Sequence, residues 1–250
     1  MRKSLLTGLA ALAFTTALAS PAMAADLGGG LSVSGGAALV SDYRFRGISQ
    51  TDKDFAIQGN IFLNHSSGLY VGTWGSSIDD YVAGGSDQEI DLIGGFKKSF
   101  GGTTLDVGFI YYYYPGAEKI TAGLDTDFFE PYVALSHTFG PVTGKVMVAY
   151  APKQNALSLG AGKEDNLYVS GDLSAAIPST PITLSGHVGR NFEESYITFG
   201  EKYTDWNVGA SYTRGPLTFM VQYVDTDKDF IGSTKNISKE GVVGTVSVAF

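Results

Sequence analysis

An all-β protein, a closed antiparallel transmembrane β-barrel of about 12 strands, is the fold this sequence predicts. Three observations carry that expectation. Segments of roughly 9–11 residues recur along the chain with apolar and polar side chains in alternation. The connections between them are short and long by turns, without exception. The segment Gly241 to Phe250 alternates in the same way and stops on an aromatic carboxyl terminus.

The N-terminus reads as an export leader. Arg2 and Lys3 form a basic start, Leu5 to Ala19 an apolar stretch, and Ala22-Met23-Ala24 a small-x-small cleavage site, so residues 1–24 are expected to be removed. Residues 25–250 are then expected to be one domain. No other segment approaches an uninterrupted apolar run of about 18 residues, so a spanning helix is not expected. A closed barrel is the other structure able to satisfy its backbone inside lipid. The absence of cysteine excludes a disulfide scaffold and thiolate metal sites. Removing Arg2 and Lys3 takes the basic count from 17 to 15 against 25 acidic residues, a net charge of about −10. Such a balance argues against nucleic acid as a partner, because phosphate binding needs a basic footprint.

The strands follow in order. Segment 32–46 places Val33, Leu39, Tyr43 and Phe45 on its apolar face, and Asp42, Arg44 and Arg46 on the other. Segment 56–65 sets Ile61 against Gln58 and Asn60. In 68–76, Leu69 and Val71 compete with Tyr70 and Trp74 for the outward face. Segment 88–99 opposes Leu92 and Phe96 to Glu89, Asp91 and Lys97. Segment 103–114 opposes Val107, Tyr111 and Tyr113 to Asp106. Segment 127–139 opposes Val133, His137 and Phe139 to Glu130, and 142–151 opposes Val146 and Tyr150 to Lys145. Segment 166–176 sets Val169 against Asp172, and 181–190 sets Leu184 against His187. Trp206, Val208 and Tyr212 oppose Asn207 in 204–213; Phe219 and Tyr223 oppose Gln222 in 217–225. Val246 and Phe250 close the series in 241–250.

Short turns are expected at Ser66-Ser67, Phe100-Gly101-Gly102, Gly140-Pro141, Pro178-Ser179-Thr180 and Arg214-Gly215-Pro216. Long gaps fall at 47–55, 77–87, 115–126, 152–165, 191–203 and 226–240. Outer-membrane barrels have tight periplasmic turns and extended extracellular loops. With odd strands running outward, Tyr43, Phe45, Tyr111, Tyr113, Tyr150, Trp206 and Tyr223 fall at the extracellular rim. Phe96, Phe139, Tyr212 and Phe250 fall at the periplasmic rim. Two aromatic girdles then flank an aliphatic band. Gly28-Gly29-Gly30 lacks the strand-then-helix context of a phosphate loop and reads as a flexible periplasmic lead-in.

The charged face must point inward, since Arg or Lys at the bilayer midplane costs about 2–4 kcal/mol. Arg44 and Arg46 end an outward strand while Glu89 and Asp91 begin an inward one, so the four are expected at the extracellular mouth. Together with Glu130 they form a candidate constriction, whose transverse field would filter solutes. Lys97 and Asp106 flank a turn and are expected to pair near the periplasmic exit. The competing reading is that these groups neutralise one another and fill the lumen, as side chains do in smaller barrels.

Enzyme chemistry is not expected. His65 and His137 lie at periplasmic ends. Ser185 and His187 share a strand face about 7 Å apart, too far for direct proton transfer. No catalytic, cofactor-binding or metal-ligating residue is assigned. The acidic long loops invite a divalent-ion reading, but no segment has EF-hand spacing and a solvated face accounts for them.

The run Ser41-Asp42-Tyr43-Arg44-Phe45-Arg46-Gly47-Ile48-Ser49-Gln50-Thr51, followed by Ala56-Ile57-Gln58-Gly59, resembles the signature of the TorF porin family, proteobacterial outer-membrane barrels of unknown function. Ser67-Gly68-Leu69-Tyr70-Val71-Gly72-Thr73-Trp74, Glu89-Ile90-Asp91-Leu92 and Tyr111-Tyr112-Tyr113-Tyr114-Pro115-Gly116 extend the resemblance through most of the first half. It implies an outer-membrane barrel and brings neither a substrate nor catalytic residues. The terminal Phe250 is similar to the ending of such barrels, which implies that the barrel-assembly machinery reads it. The expectation is therefore a Gram-negative outer-membrane channel for passive diffusion of small polar solutes, surrounded by outer-membrane lipid and lipopolysaccharide. The alternative is a non-conducting structural or adhesive barrel displaying acidic loops.

Overall fold

The computed structural model describes residues 24–117, 125–160, 162–232 and 234–250. The expected leader, apart from Ala24, and part of the loop expected at 115–126 lie outside them. The strands in chain order are β1 (Ala25–Gly28), β2 (Leu31–Val40), β3 (Arg44–Phe45), β4 (Ile48–Ser49), β5 (Ala56–His65), β6 (Leu69–Ser77), β7 (Gln88–Phe100) and β8 (Thr103–Tyr113). They continue with β9 (Phe128–Phe139), β10 (Val142–Gln154), β11 (Glu164–Ala176), β12 (Ile182–Asn191), β13 (Thr204–Arg214), β14 (Leu217–Thr226) and β15 (Gly241–Ala249).

From β5 to β15 each strand pairs antiparallel with its neighbour in sequence. The ring closes because β2 pairs with β5 along one edge and with β15 along the other, giving a closed 12-strand barrel. Among the described residues no helix is long and apolar enough to cross a membrane. Closure gives each of the twelve wall strands a paired neighbour on both sides, which is what a barrel achieves and an open sheet does not.

The alternation has the expected sense. Leu92, Val107, Val133, Val146, Leu184, Val208, Phe219 and Val246 are exposed on the outer wall, while Glu89, Asp91, Asp106, Glu130, Asn166, Tyr168 and Gln222 are buried within. Tyr111, Tyr113, Tyr150 and Tyr223 are exposed at the long-loop end, and Phe96, Phe139, Tyr212 and Phe250 at the short-turn end. His137 also lies at that end. Its imidazole hydrogen-bonds the Thr103 hydroxyl at 2.7 Å, and its ring lies against Phe139. In β6 the aliphatic residues hold the outer face, with Leu69 and Val71 exposed and Trp74 buried.

Two expectations are corrected. The first barrel strand ends at Val40, not residue 46. From Ser41 the chain leaves the wall and folds into the lumen as the β3–β4 hairpin, with Arg44 opposite Ser49 and Phe45 opposite Ile48. Tyr43 and Phe45 therefore belong to no outer girdle: Tyr43 is buried and Phe45 lies among interior aromatics. The second correction concerns the lead-in, which is a strand rather than free chain. β1 pairs with the start of β2, Ala25 opposite Val33, and turns back through Gly28, Gly29 and Gly30, all at positive φ.

Candidate functional site

The inward segment reaches into the bore and is hydrogen-bonded to β7, β9 and β12 of the wall and to the outer loops. Two local features let it do so. Arg46 and Gly47 both have positive φ, at 49° and 81°, which reverses the chain tightly. A Cβ on Gly47 would come within 2.5 Å of the Thr226 side chain and 2.8 Å of the Asp205 Cβ, so only glycine lets the hairpin tip abut β13 and β14. Ile48 then packs with Tyr203, Phe230 and Ile237 in an apolar cluster beneath the long loops. Tyr81 donates its hydroxyl proton to the Ser49 carbonyl, and the Asp79 amide donates to the Gln50 carbonyl at 2.8 Å.

Each arginine has its own counter-charge. Arg44 pairs with Asp42 at 2.6 Å and donates to the carbonyls of Gly47 and Ile237, both at 2.9 Å, and of Lys239. Its donors are thus directed at its own hairpin and at the loop before β15, and the expected opposition to Glu89 and Asp91 does not form. Arg46 reaches across the lumen to β9, where one guanidinium nitrogen lies 2.6 and 2.7 Å from the two Glu130 oxygens. The guanidinium carbon sits 4.2 Å from the Tyr168 ring centroid and 4.7 Å from that of Phe45. Burial pulls the Arg46 pKa down, but Glu130, Tyr112 and Tyr168 together outweigh it and hold the group above its ordinary value.

Glu89 and Asp91 lie on the opposite arc. Glu89 accepts a hydrogen bond from the Tyr43 hydroxyl at 3.1 Å. Burial, reinforced by the Glu89 charge, raises the pKa of that hydroxyl well above its ordinary value and keeps it a donor. Asp91 pairs in register with Trp74 on β6 and Tyr112 on β8, so those side chains flank it on the inner face. Tyr43 stacks obliquely on Trp74, centroids 5.4 Å apart. Both Asp91 oxygens are buried without a hydrogen-bond partner.

Two further networks line the lumen, one near the short-turn end and one reaching the long-loop end of β13. Lys97 and Asp106 pair as expected, at 3.5 Å, with Lys97 5.3 Å from the centroid of the Tyr70 ring. Tyr70 donates to Asp106 at 2.7 Å and its hydroxyl also meets that of Tyr132. Around the wall, Lys145 lies 3.6 Å from Asp172. His187 bridges Asp172 through Nδ1 at 2.7 Å and Asp205 through Nε2 at 3.1 Å. Tyr168 adds a hydrogen bond to Asp205 at 3.1 Å, its ring filling the space over Gly189 that a Cβ would occupy.

Sequence reasoning missed Asp205 and the inner tyrosines. Asp205 had a signal, since it shares strand parity with Asn207. The tyrosines had a weaker one, because an aromatic ring suits either side of a barrel wall. Several acidic residues in and beside the long connections have polar partners. Asp52 accepts from the Thr234 hydroxyl, Asp165 from Tyr150 at 2.8 Å, and Asp229 from Asn236 at 2.8 Å. Among the described residues no group of three or more acidic or histidine side chains is placed to hold a metal ion.

A family model described as "Bacterial protein of unknown function (Gcw_chp)" matches residues 24–250. No curated protein matches the sequence. Among solved structures, a membrane protein from work on in-meso crystallization aligns at TM-score 0.54 and 10% identity, covering 87% of this chain and 83% of that one. The outer membrane protein OpdK from Pseudomonas aeruginosa aligns at TM-score 0.45 and 14% identity, over 91% of this chain and 68% of that one. An anion-selective porin from Comamonas acidovorans aligns at TM-score 0.43 and 9% identity, over 88% and 98%. The likeness is one of fold.

Proposed function

This chain belongs to the Gcw_chp family of bacterial proteins of unknown function, and we propose that it is an outer-membrane channel for small polar solutes, constricted by its own first loop. The observation that carries this reading is the Arg46–Glu130 bridge, which holds a loop of 41–55 across a polar bore. A wall that is apolar outside and charged inside suits a solvated interior, and a barrel of this size lies between those filled by side chains and those enclosing wide channels. The resemblance of the first half to the TorF porin family agrees with it. On this reading the protein is not an enzyme: transport is passive, and the barrel-assembly machinery inserts it among outer-membrane lipid and lipopolysaccharide.

Planar-bilayer recording of the refolded barrel tests the reading. Discrete conductance steps are expected, and their ion selectivity should change in an Arg44→Ala/Arg46→Ala double variant, which removes the loop's fastenings. No steps above background in either protein would sink it. The density with which the hairpin packs into the upper lumen favours a second reading, a closed barrel with a structural or adhesive role, and that outcome would support it.

A further inference from the structure

The lumen's charges do not cancel evenly. Arg44 is paired with Asp42, Arg46 with Glu130, Lys97 with Asp106 and Lys145 with Asp172. His187 bridges Asp172 and Asp205. Among the described residues, two inward carboxylates remain without a cationic partner, Glu89 and Asp91, and they are neighbours on one face of β7, about 7 Å apart along the strand. Glu89 has one neutral donor, the Tyr43 hydroxyl. Asp91 is 0% exposed, and neither of its oxygens has a hydrogen-bond partner. A buried ionised carboxylate with no partner is too costly to be kept in that state.

We infer that Glu89 and Asp91 form a binding site for a weakly hydrated monovalent cation, with a primary ammonium group as the best fit. The surroundings select that class. Asp91 is sealed from water, so its ligand must arrive stripped of its hydration shell. Magnesium, which dehydrates reluctantly and keeps several waters, does not meet that condition. Two carboxylates and a tyrosine hydroxyl also fall short of the 6–8 oxygens calcium takes. An ammonium head instead carries three donors for the carboxylate oxygens. Trp74 and Tyr112 flank Asp91 across β6 and β8, and Tyr43 lies against Trp74, so aromatic side chains border the site as they do around bound ammonium groups. Because Tyr43 belongs to the inward loop, occupation of the site and the position of that loop are linked. The inference deepens the channel reading, on which it rests for its role: the lumen would favour cationic solutes and hold them at this station.

The test uses the barrel folded in detergent, with Trp206→Phe leaving Trp74 as the sole tryptophan. Titration with methylammonium chloride should give a saturable change in Trp74 emission, and magnesium chloride at equal ionic strength should not. Affinity should fall by about tenfold or more in Asp91→Asn and in Glu89→Gln, as loss of a charge-assisted partner implies. Methylammonium should also raise the thermal midpoint of the wild-type barrel, as a ligand of the folded state does, and leave that of Asp91→Asn unmoved. Asp91→Asn keeps the side chain's shape and breaks no hydrogen bond, so it is expected to fold. No saturable response, an equal response in Asp91→Asn, or an equal response to magnesium would overturn the site. Saturable binding without conductance would leave the site and sink the channel; conductance without saturable binding would do the reverse.

Discussion

Arg46 and Glu130 are the pair on which the inner loop depends, and both side chains are almost wholly buried. Removing one partner of such a pair leaves a charge in a low-dielectric interior, which costs about 3–5 kcal/mol. In Glu130→Ala that penalty is relieved most simply if the hairpin swings out and Arg46 returns to water. Trypsin should therefore cut after Arg44 or Arg46 in Glu130→Ala and spare the same bonds in the wild type. Glu130→Gln, which keeps an acceptor, should fall between them. Equal protection of the loop in all three proteins would mean that Ile48 and the outer loops hold the hairpin without the ion pair. That Arg46 and Glu130 share one constriction was legible in the sequence; that they close into a direct bridge was not. The sequence placed both at the mouth, but a partner 84 positions away is chosen by the barrel's curvature, which alternation does not encode.

At the level of elements, strand existence was legible because each wall strand must alternate to satisfy lipid on one side and the lumen on the other. The end of β2 was not, and the reason is physical. A loop folded into a polar lumen beside aromatic rings meets the same alternating demands as the wall, so Asp42, Arg44 and Arg46 continue the inward pattern after the chain has left the sheet. The outward face of β6 was ambiguous for a related reason, since Tyr70 and Trp74 serve the lumen as well as aromatics serve a rim. The last strand was the clearest. Phe250 exchanges both backbone hydrogen bonds with Gly35, each 2.9 Å, and a Cβ on Gly35 would fall 2.9 Å from its ring. Deleting Phe250 removes that clasp at the seam where β15 meets β2. The yield of folded barrel, read as heat-modifiable mobility on gels, should drop sharply, while conductance per inserted barrel should change little. A fall in conductance with undiminished yield would contradict the role given to the terminal residue.

For the molecule as a whole, the barrel and the loop inside it are separable. The wall is closed by backbone pairing between β2 and β5 and between β2 and β15, none of which involves the hairpin. Replacing residues 44–49 with a Gly-Ser linker should therefore preserve the β-sheet circular dichroism and heat-modifiability of the barrel. It should widen the bore and raise single-channel conductance; a barrel that no longer folds would mean the hairpin is part of the wall's stability. The seam has a further consequence. β1 lies along β2 at residues 31–33, and β15 takes over the same edge from Gly36, so both ends of the barrel domain finish on one strand. Linked by a short peptide and reopened between Ser66 and Ser67, the chain should trace the same ring from a different starting point. Such a circular permutant would carry its new ends at the β5–β6 turn and its former ends as a continuous edge, and it should fold to the same barrel.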